Sequence, residues 1–123
     1  MNPLANDRFA GQCGVELIEA RPGYAVTRML VEDRHRNAVD LVHGGALFTL
    51  AAAAFFAACN ASEETGVGIN LNITFIHPCK GGTLTAEATE VGRSGRLMHC
   101  EVCVRDEQGI VMARLTGTAS MKR

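Results

Sequence analysis

The chain has 123 residues and a formal net charge of −1, and charged side chains of both signs are interspersed along it. This length fits a single domain over residues 1–123 with enough chain to bury a real core. The absence of an overall basic field argues against nucleic acid or an anionic membrane as the main partner.

The compartment is indicated by the first residues and by the cysteines. MNPLANDRFAG contains neither an apolar signal region nor a basic leader, so we expect a cytoplasmic protein in a reducing compartment. Five cysteines are an odd number and lack the dense spacing of a disulfide framework. Cys100 and Cys103 spell C-x-x-C, but strand residues three apart face opposite sides, so we expect no redox or metal role.

We expect no metal site elsewhere either. His99, Glu101 and Cys103 line one face of a predicted strand. Side chains two apart in a strand are separated by about 6.5 Å, which suits an exposed polar face better than a single ion.

The first elements are a short helix and a hairpin. Asn2 and Pro3 are predicted to cap and open a helix that runs through Ala10. Two segments rich in β-branched and apolar residues flank the turn signal Arg21-Pro22-Gly23 and should pair as a hairpin. The strands are Gln12–Ala20 and Tyr24–Glu32, and a charged loop, Asp33–Asp40, follows them.

The segment Leu41–Asn60 is the longest uniformly apolar stretch in the chain. From Ala46 to Cys59 its only polar side chain is Thr49. A helix that is apolar on every face must be wrapped by the rest of the domain. With under about 18 consecutive apolar residues, it is too short to cross a bilayer.

This helix is predicted to begin at the pair Gly44 and Gly45, directly after His43. The N–H groups of a first helical turn have no partner inside the helix and lie at the positive end of its dipole. The glycine pair is therefore a place where a negatively charged oxygen could be held.

Four strands follow the helix. In Val67–Pro78 apolar residues alternate with Gly, Asn and Thr, which predicts one dry and one polar face. The later strands are Thr83–Val91, Arg96–Arg105 and Ile110–Met121, with turns at Gly92–Gly95 and Asp106–Gly109. One apolar helix and about six antiparallel strands predict an α+β fold in which a strongly curved sheet wraps the helix.

The arrangement Asn37-x5-His43-Gly44-Gly45, followed by an Ala/Phe-rich helix that ends Ala-Cys-Asn, closely resembles the hotdog-fold thioesterases of the phenylacetate-degradation, or PaaI-like, type. Phe75–Pro78 and Gly92–Arg96 are similar to the family's post-helix strand end and following turn. The resemblance implies a curved antiparallel sheet around a central helix and a dimer joined through sheet edges, often paired into a tetramer. It also implies hydrolysis of acyl-coenzyme A thioesters at the dimer interface without a cofactor.

The same resemblance assigns the site. The oxyanion donor would be the backbone N–H of Gly44, and Asn37 and His43 would hold the loop and line the site. The family's catalytic carboxylate falls eight positions after that glycine, at Ala52, and an alanine cannot act as base or nucleophile. A second departure is Asp40, where the motif usually has a small residue such as glycine.

Helix geometry explains why this replacement matters. Eight residues rise about 12 Å, so Gly44 and position 52 of one chain cannot touch one carbonyl and must meet across a two-fold interface. With Ala52, each site keeps the donor that polarises the carbonyl but lacks the carboxylate that attacks it or activates water. Loss of a general base typically lowers a rate by about 100-fold to 10,000-fold.

Two residues are possible substitutes. Asp40 lies close to the oxyanion turn in sequence, but the favoured interpretation is a loop aspartate that interacts with the first helical turn, His43 or Arg36. His77 could act as a base for water, and its alternative is a surface histidine at a strand end. Pairing Cys79 with His77 as nucleophile and base is a weaker option, because both lie in one turn.

Further residues are assigned to substrate binding, and the turn arginines among them could contact coenzyme A phosphates. They are Gly45, Thr49, Asn70, Arg93 and Arg96. We therefore expect a homo-oligomer, a dimer or a dimer of dimers, that hydrolyses or at least binds acyl-coenzyme A thioesters. The alternative is a non-catalytic acyl-thioester-binding or assembly module of the same fold. A hydratase is a distant third, because the central helix lacks a suitable Asp and His pair.

Overall fold

The computed structural model describes residues 2–123, which form a six-stranded antiparallel sheet, one long helix and two short helical segments. The elements are α1 (Arg8–Gln12), β1 (Glu16–Arg21), β2 (Tyr24–Leu30), a 3-10 turn (Asp33–His35), α2 (Gly44–Cys59), β3 (Thr65–Phe75), β4 (Thr83–Ser94), β5 (Leu97–Arg105) and β6 (Val111–Lys122). The strand order is β1-β2-β4-β5-β6-β3. The predicted α+β hotdog architecture, a curved sheet around a central helix, is confirmed.

Small side chains allow the sheet to lie close to α2. Ala51, Ala54 and Ala58 are buried in the interface between helix and sheet. The ring of Phe55 lies over Gly117 of β6, where an added Cβ would stand 2.6 Å from a ring carbon. Only glycine fits beneath that ring, so the register of β6 against the helix is fixed sterically.

The expectation that α2 is wrapped on every side is wrong. Phe48, Ala52 and Phe56, spaced four residues apart, share one side of the helix and remain partly exposed. The sheet covers the opposite side, and the five residues of α1 are too few to close the remaining one. An apolar stripe that includes position 52 is therefore open in the single chain.

The prediction of one dry face along the strand after α2 is wrong for its first half. A bulge between Gly68 and Asn70 adds one residue, which reverses the alternation of side chains. Residues after the bulge, such as Ile73, pack on the core, whereas Val67 and Ile69 are 63% and 59% exposed. Because β3 pairs only with β6, its other edge is free in the single chain.

The first helix starts later than predicted. The helix α1 begins after Asp7, whose Oδ1 accepts the N–H of Ala10 at 2.9 Å. Asn2 caps only a turn, in which its Oδ1 accepts the N–H of Leu4 at 2.8 Å. Within α1, Ala10 is the buried residue.

Other boundaries shift by a few residues. β3 ends at Phe75 rather than Pro78, and β4 continues through a bulge to Ser94, so the predicted turn at Gly92–Gly95 shrinks to Gly95 and Arg96. His35, in the charged loop, is buried and bonded through both ring nitrogens. Within residues 2–123, no helix has the length and apolar character needed to cross a membrane.

Candidate active site

A cavity of about 450 Å³ opens beside the first turn of α2, and we call it the N-terminal cavity. Asn37, Gly44 and His77 bring polar groups to its lining, and among residues 2–123 no Lys, Arg, Asp or Glu lines it. The full lining is Asn37, Leu41, Val42, Gly44, Leu47, Phe75, Ile76, His77, Pro78 and Cys79. The cavity therefore combines apolar walls with a few convergent polar groups, which is typical of a ligand site.

The backbone N–H of Gly44 is the open donor of this cavity. The N–H of Gly45 is bonded to His43 Nδ1 at 2.8 Å, and the N–H of Ala46 to the His43 carbonyl at 2.9 Å. Within residues 2–123, the N–H of Gly44 has no acceptor. It lies at the positive end of the α2 dipole, where an oxyanion is stabilised.

Gly44 also has no room for a side chain. A Cβ built on it would lie 2.9 Å from Cζ of Phe75, whose ring forms a wall of the N-terminal cavity. The ring thus places the backbone of Gly44 directly against an apolar surface.

His43 is the N-cap of α2 rather than a free acid or base. Its Nδ1 accepts the N–H of Gly45, so this nitrogen carries no hydrogen and the neutral ring is protonated on Nε2. Of the two glycine N–H groups, the cap occupies that of Gly45 and leaves that of Gly44 free. His43 therefore selects which backbone donor is available.

Asn37 shapes the loop and presents its amide nitrogen. Its Oδ1 accepts the N–H groups of Val39 and Leu41, each at 3.0 Å, and its backbone N–H donates to the carbonyl of Leu41 at 2.7 Å. These bonds fix the orientation of the amide, because only the oxygen can accept. The Nδ2 group has no acceptor within residues 2–123, so the Asn37 side chain that lines the N-terminal cavity has an unused donor.

His77 has a defined orientation in the same cavity. Its Nδ1 lies 2.7 Å from the carbonyl oxygen of Val111, and a carbonyl only accepts, so Nδ1 carries the hydrogen. In the neutral ring, Nε2 then holds the lone pair. The ring is exposed and also lines an adjoining cavity of about 400 Å³ that contains Lys80 and Asp106.

Ala52 does not share a cavity with Gly44. It lies in a separate depression of about 310 Å³, which we call the mid-helix groove. The groove is lined by Asp7, Phe9, Ala10, Phe48, Thr49, Ala52, Ala53 and Phe56. This separation agrees with the expectation that the two positions of one chain do not meet at one carbonyl.

Asp7 is the only carboxylate lining the mid-helix groove among the described residues, and sequence reasoning missed it. Its Oδ1 accepts the N–H of Ala10 and so caps α1. The signal was present in the sequence, because an aspartate at the start of a helical pattern is a strong N-cap. What the sequence lacked was any indication that α1 would lie beside position 52.

Asp40 lies outside both cavities. Its side chain is 89% exposed, and its Oδ1 is 3.8 Å from Nε of Arg36. Its φ is +64°, and it is the one non-glycine residue with positive φ among residues 2–123. A left-handed conformation explains why a glycine suits this position, and aspartate is among the residues that tolerate it.

The residues assigned to substrate binding lie in different places. Thr49 lines the mid-helix groove, and its Oγ1 donates to the carbonyl of Gly45 at 2.8 Å. Asn70 lies beside the β3 bulge, opposite Thr118, and lines neither cavity.

The turn arginines lie at the other end of the fold. Arg93 forms an ion pair of 2.9 Å with Glu64, just past the C-terminus of α2, and Arg96 lies in the exposed β4–β5 turn. Within one chain neither arginine lines the N-terminal cavity. Lys80 lines the adjoining cavity that His77 also lines.

The cysteines are reduced, and Cys79 is a poor nucleophile. Burial raises the pKa of its thiol, which outweighs the lowering effect of a backbone hydrogen bond from Gly81. A hydrogen bond with Cys100, followed by burial, raises the pKa of the Cys59 thiol. Among residues 2–123, no three His, Cys, Asp or Glu side chains cluster in a way that could hold a metal ion.

The curved sheet around a central helix, with an open backbone donor at the first turn of that helix, defines a protein with the hotdog fold. A sequence model of the thioesterase superfamily matches residues 40–113. The acyl-coenzyme A thioesterase PaaI of Escherichia coli is 30% identical over 112 residues, which cover 89% of this chain and 80% of that protein. The chain belongs to the thioesterase superfamily and, within it, to the PaaI-like proteins with the hotdog fold.

Solved structures agree with this assignment. The E. coli PaaI protein from the phenylacetic acid degradation operon superposes with a TM-score of 0.90 at 30% identity, covering 96% of this chain and 86% of that one. The TT0310 protein from Thermus thermophilus has a TM-score of 0.88 at 32% identity, with 94% and 97% covered. The resemblance expected from Asn37-x5-His43-Gly44-Gly45 is confirmed.

Proposed function

We propose that this protein hydrolyses acyl-coenzyme A thioesters, with the thioester carbonyl bound in the N-terminal cavity. The observation that carries the proposal is the free N–H of Gly44 at the positive end of α2, facing an apolar cavity. A thioester carbonyl gains negative charge when it is attacked, and this donor is placed to stabilise that charge. The amide nitrogen of Asn37 is the second donor.

The acyl group is proposed to be uncharged. Leu41, Leu47 and Phe75 are among the apolar walls, and among residues 2–123 no Lys, Arg, Asp or Glu lines the cavity to pair with an acidic or basic acyl chain. A volume of about 450 Å³ accommodates a medium-length or aromatic acyl group. A buried unpaired charge is strongly unfavourable, so dicarboxylic acyl groups are expected to be poor substrates.

The coenzyme A part is proposed to be held by cations outside the cavity. Lys80 lines the adjoining cavity. Arg93 and Arg96 of a second copy are further candidates for the phosphates. Other contacts to coenzyme A are proposed for Gly45, Thr49 and Asn70 of that second copy. Phosphate contacts of this kind are surface charge interactions that weaken with salt. Arg93 would have to exchange its partner Glu64 for a phosphate.

We propose that the working unit is a homodimer, or a dimer of dimers, in the cytoplasm. The free edge of β3 carries exposed Val67 and Ile69, and unpaired apolar edges are covered in stable proteins. The open side of α2 supports a second contact that would bring one copy's mid-helix groove toward another copy's N-terminal cavity. Five unpaired cysteines suit a reducing compartment.

A second candidate is a module that binds acyl thioesters without hydrolysing them. The observation that favours it is Ala52, which places a methyl group where the related enzymes are expected to carry a carboxylate. Binding requires only the cavity and its donors, whereas hydrolysis requires a group that activates water.

Two measurements separate these functions. Steady-state hydrolysis should be followed across short, medium, long and aromatic acyl-coenzyme A substrates, where we expect slow turnover with a preference for uncharged acyl groups. Thermal unfolding should be followed with coenzyme A and a non-hydrolysable acyl analogue, which are expected to raise the melting temperature. A ligand-induced shift with no turnover of any substrate supports the binding module. If neither a shift nor turnover is observed, the proposed thioester function is excluded.

A further inference from the structure

The protein lacks the carboxylate at position 52, so hydrolysis of a thioester requires another group to accept a proton from water. In that step the water oxygen forms a bond to the carbonyl carbon and its proton moves to the base. The carbon–sulfur bond then breaks, and the base returns the proton to the leaving thiolate. The products are a carboxylic acid and a thiol, and no other reactant is needed.

Two hydrogen bonds to β6, one from the ring of His77 and one from the backbone beside it, position His77 for this role. Its Nδ1–H donates to the Val111 carbonyl at 2.7 Å, which leaves Nε2 as the proton acceptor. Its backbone is held to β6 because the N–H of Ile76 donates to the Met112 carbonyl at 2.8 Å. A histidine whose second nitrogen is tied to a backbone carbonyl is oriented as a general base.

His77 also lines the same cavity as the open donor. Gly44, Asn37 and His77 all belong to the N-terminal cavity of one chain. A carbonyl held by the Gly44 N–H therefore has both a donor and a base within one cavity, as acyl transfer to water requires.

The competing groups are occupied or lie elsewhere. Asp40 points into solvent beside Arg36 and lines neither cavity. Asp7 lies in the mid-helix groove and caps α1. Cys79 is a buried thiol, so among the described residues that line the N-terminal cavity His77 is the one basic side chain with an available lone pair for a proton.

We infer that His77 is the general base of this protein and that it acts in the same subunit as the Gly44 donor. The inference rests on the proposed thioester hydrolysis. In this arrangement the base and the donor belong to one subunit, whereas a carboxylate at position 52 would have to reach the donor from a second subunit.

Two variants test the role of Nε2. His77→Asn retains an N–H that can reach the Val111 carbonyl but removes the basic nitrogen, and His77→Ala opens space for added imidazole. We expect kcat to fall by about 100-fold or more in both, with little change in KM. Imidazole in the buffer should raise the rate of His77→Ala by about 10-fold or more but leave the parent unchanged.

The matched control is His99→Asn, because His99 is a histidine on a sheet strand that bonds to Thr118 and lines neither cavity. It should retain the parent rate. Circular dichroism and the thermal shift with the non-hydrolysable analogue check that each variant is folded and binds.

The outcomes separate the two proposals. If the parent hydrolyses thioesters and either folded His77 variant keeps its rate within about two-fold, the inference is overturned while the proposed function stands. A lower rate together with loss of the ligand-induced shift, or without imidazole rescue, assigns His77 a structural role and also overturns it. If the parent hydrolyses no substrate in the panel, the proposed hydrolysis fails and the inference fails with it.

Discussion

The N-terminal cavity and the mid-helix groove are two openings on one helix, and they differ in chemistry. The N-terminal cavity combines a free backbone donor, an amide and an oriented histidine with apolar walls. The groove contains three phenylalanines, and its one carboxylate is used in the cap of α1. The contrast teaches that, in one chain, the free donor and the oriented histidine lie together at the N-terminal cavity, whereas the groove around Ala52 is mostly apolar.

The largest effect is expected from removing the donor of the N-terminal cavity. In Gly44→Ala the new Cβ would lie 2.9 Å from the Phe75 ring, so the backbone or the ring must shift. Displacing an oxyanion donor lowers kcat by about 100-fold to 1,000-fold. The matched control is Gly11→Ala, since a Cβ there meets nothing within 4 Å. Equal activity of Gly44→Ala and the parent would show that the chemistry lies elsewhere.

The second prediction restores charge to the mid-helix groove. If the groove of one subunit faces the N-terminal cavity of another, Ala52→Asp should raise the hydrolysis rate by about tens of fold, because an oriented base adds to a preorganised donor. Burying part of a carboxylate should lower the free energy of unfolding by about 1–3 kcal/mol. The rate and urea denaturation measure these two effects.

Ala52→Asn is the control for the second prediction, because asparagine is similar in size to aspartate and carries no charge. A rate increase in both variants would point to packing rather than to a base. The double variant Ala52→Asp with His77→Asn sharpens the comparison further. If a carboxylate at position 52 can accept the same proton from water as His77, the double variant should recover much of the activity lost in His77→Asn alone.

The third prediction concerns assembly, which decides whether the two openings can meet. Val67→Lys places a charge at the free edge of β3, where Val67 is 63% exposed in the single chain. If this edge forms the dimer, the dimer dissociation constant should rise by about tens of fold, measured by sedimentation velocity. Val91→Lys is the control, since Val91 is 57% exposed on β4, an interior strand of the sheet. A parent that remains a folded monomer at micromolar concentration would exclude the dimer.

The smallest effect is expected at Asp40. Because Asp40 has φ +64°, Asp40→Gly should raise the free energy of unfolding by up to about 1 kcal/mol, and Asp40→Ala should lower it by a similar amount. Neither change should alter the hydrolysis rate, because the side chain points into solvent near Arg36. A rate that depends on this carboxylate would return Asp40 to the list of substitute bases.

Much of the fold was accessible from sequence because its signals are local. The central helix was predicted from an uninterrupted apolar run, and it begins at the glycine pair named in advance. The β1–β2 hairpin was predicted from Arg21-Pro22-Gly23, where Gly23 has φ +78°. The bulge in β3 was not accessible, because it is an irregularity in the pairing of β3 with β6, a strand far along the chain.

The sequence by itself determined which groups are present: a donor pair at Gly44 and Gly45, an alanine at position 52 and a histidine at position 77. It also determined that Gly44 and Ala52 are separated along one helix, since helical rise per residue is constant. The free N–H of Gly44 follows from a local feature, because His43 caps the N–H of Gly45 two residues further on. Only the tertiary structure decided which nitrogen of His77 holds the lone pair, because β6 brings the carbonyl of Val111, 34 residues away in the chain, to that ring. No local pattern encodes such a distant partner of a side chain.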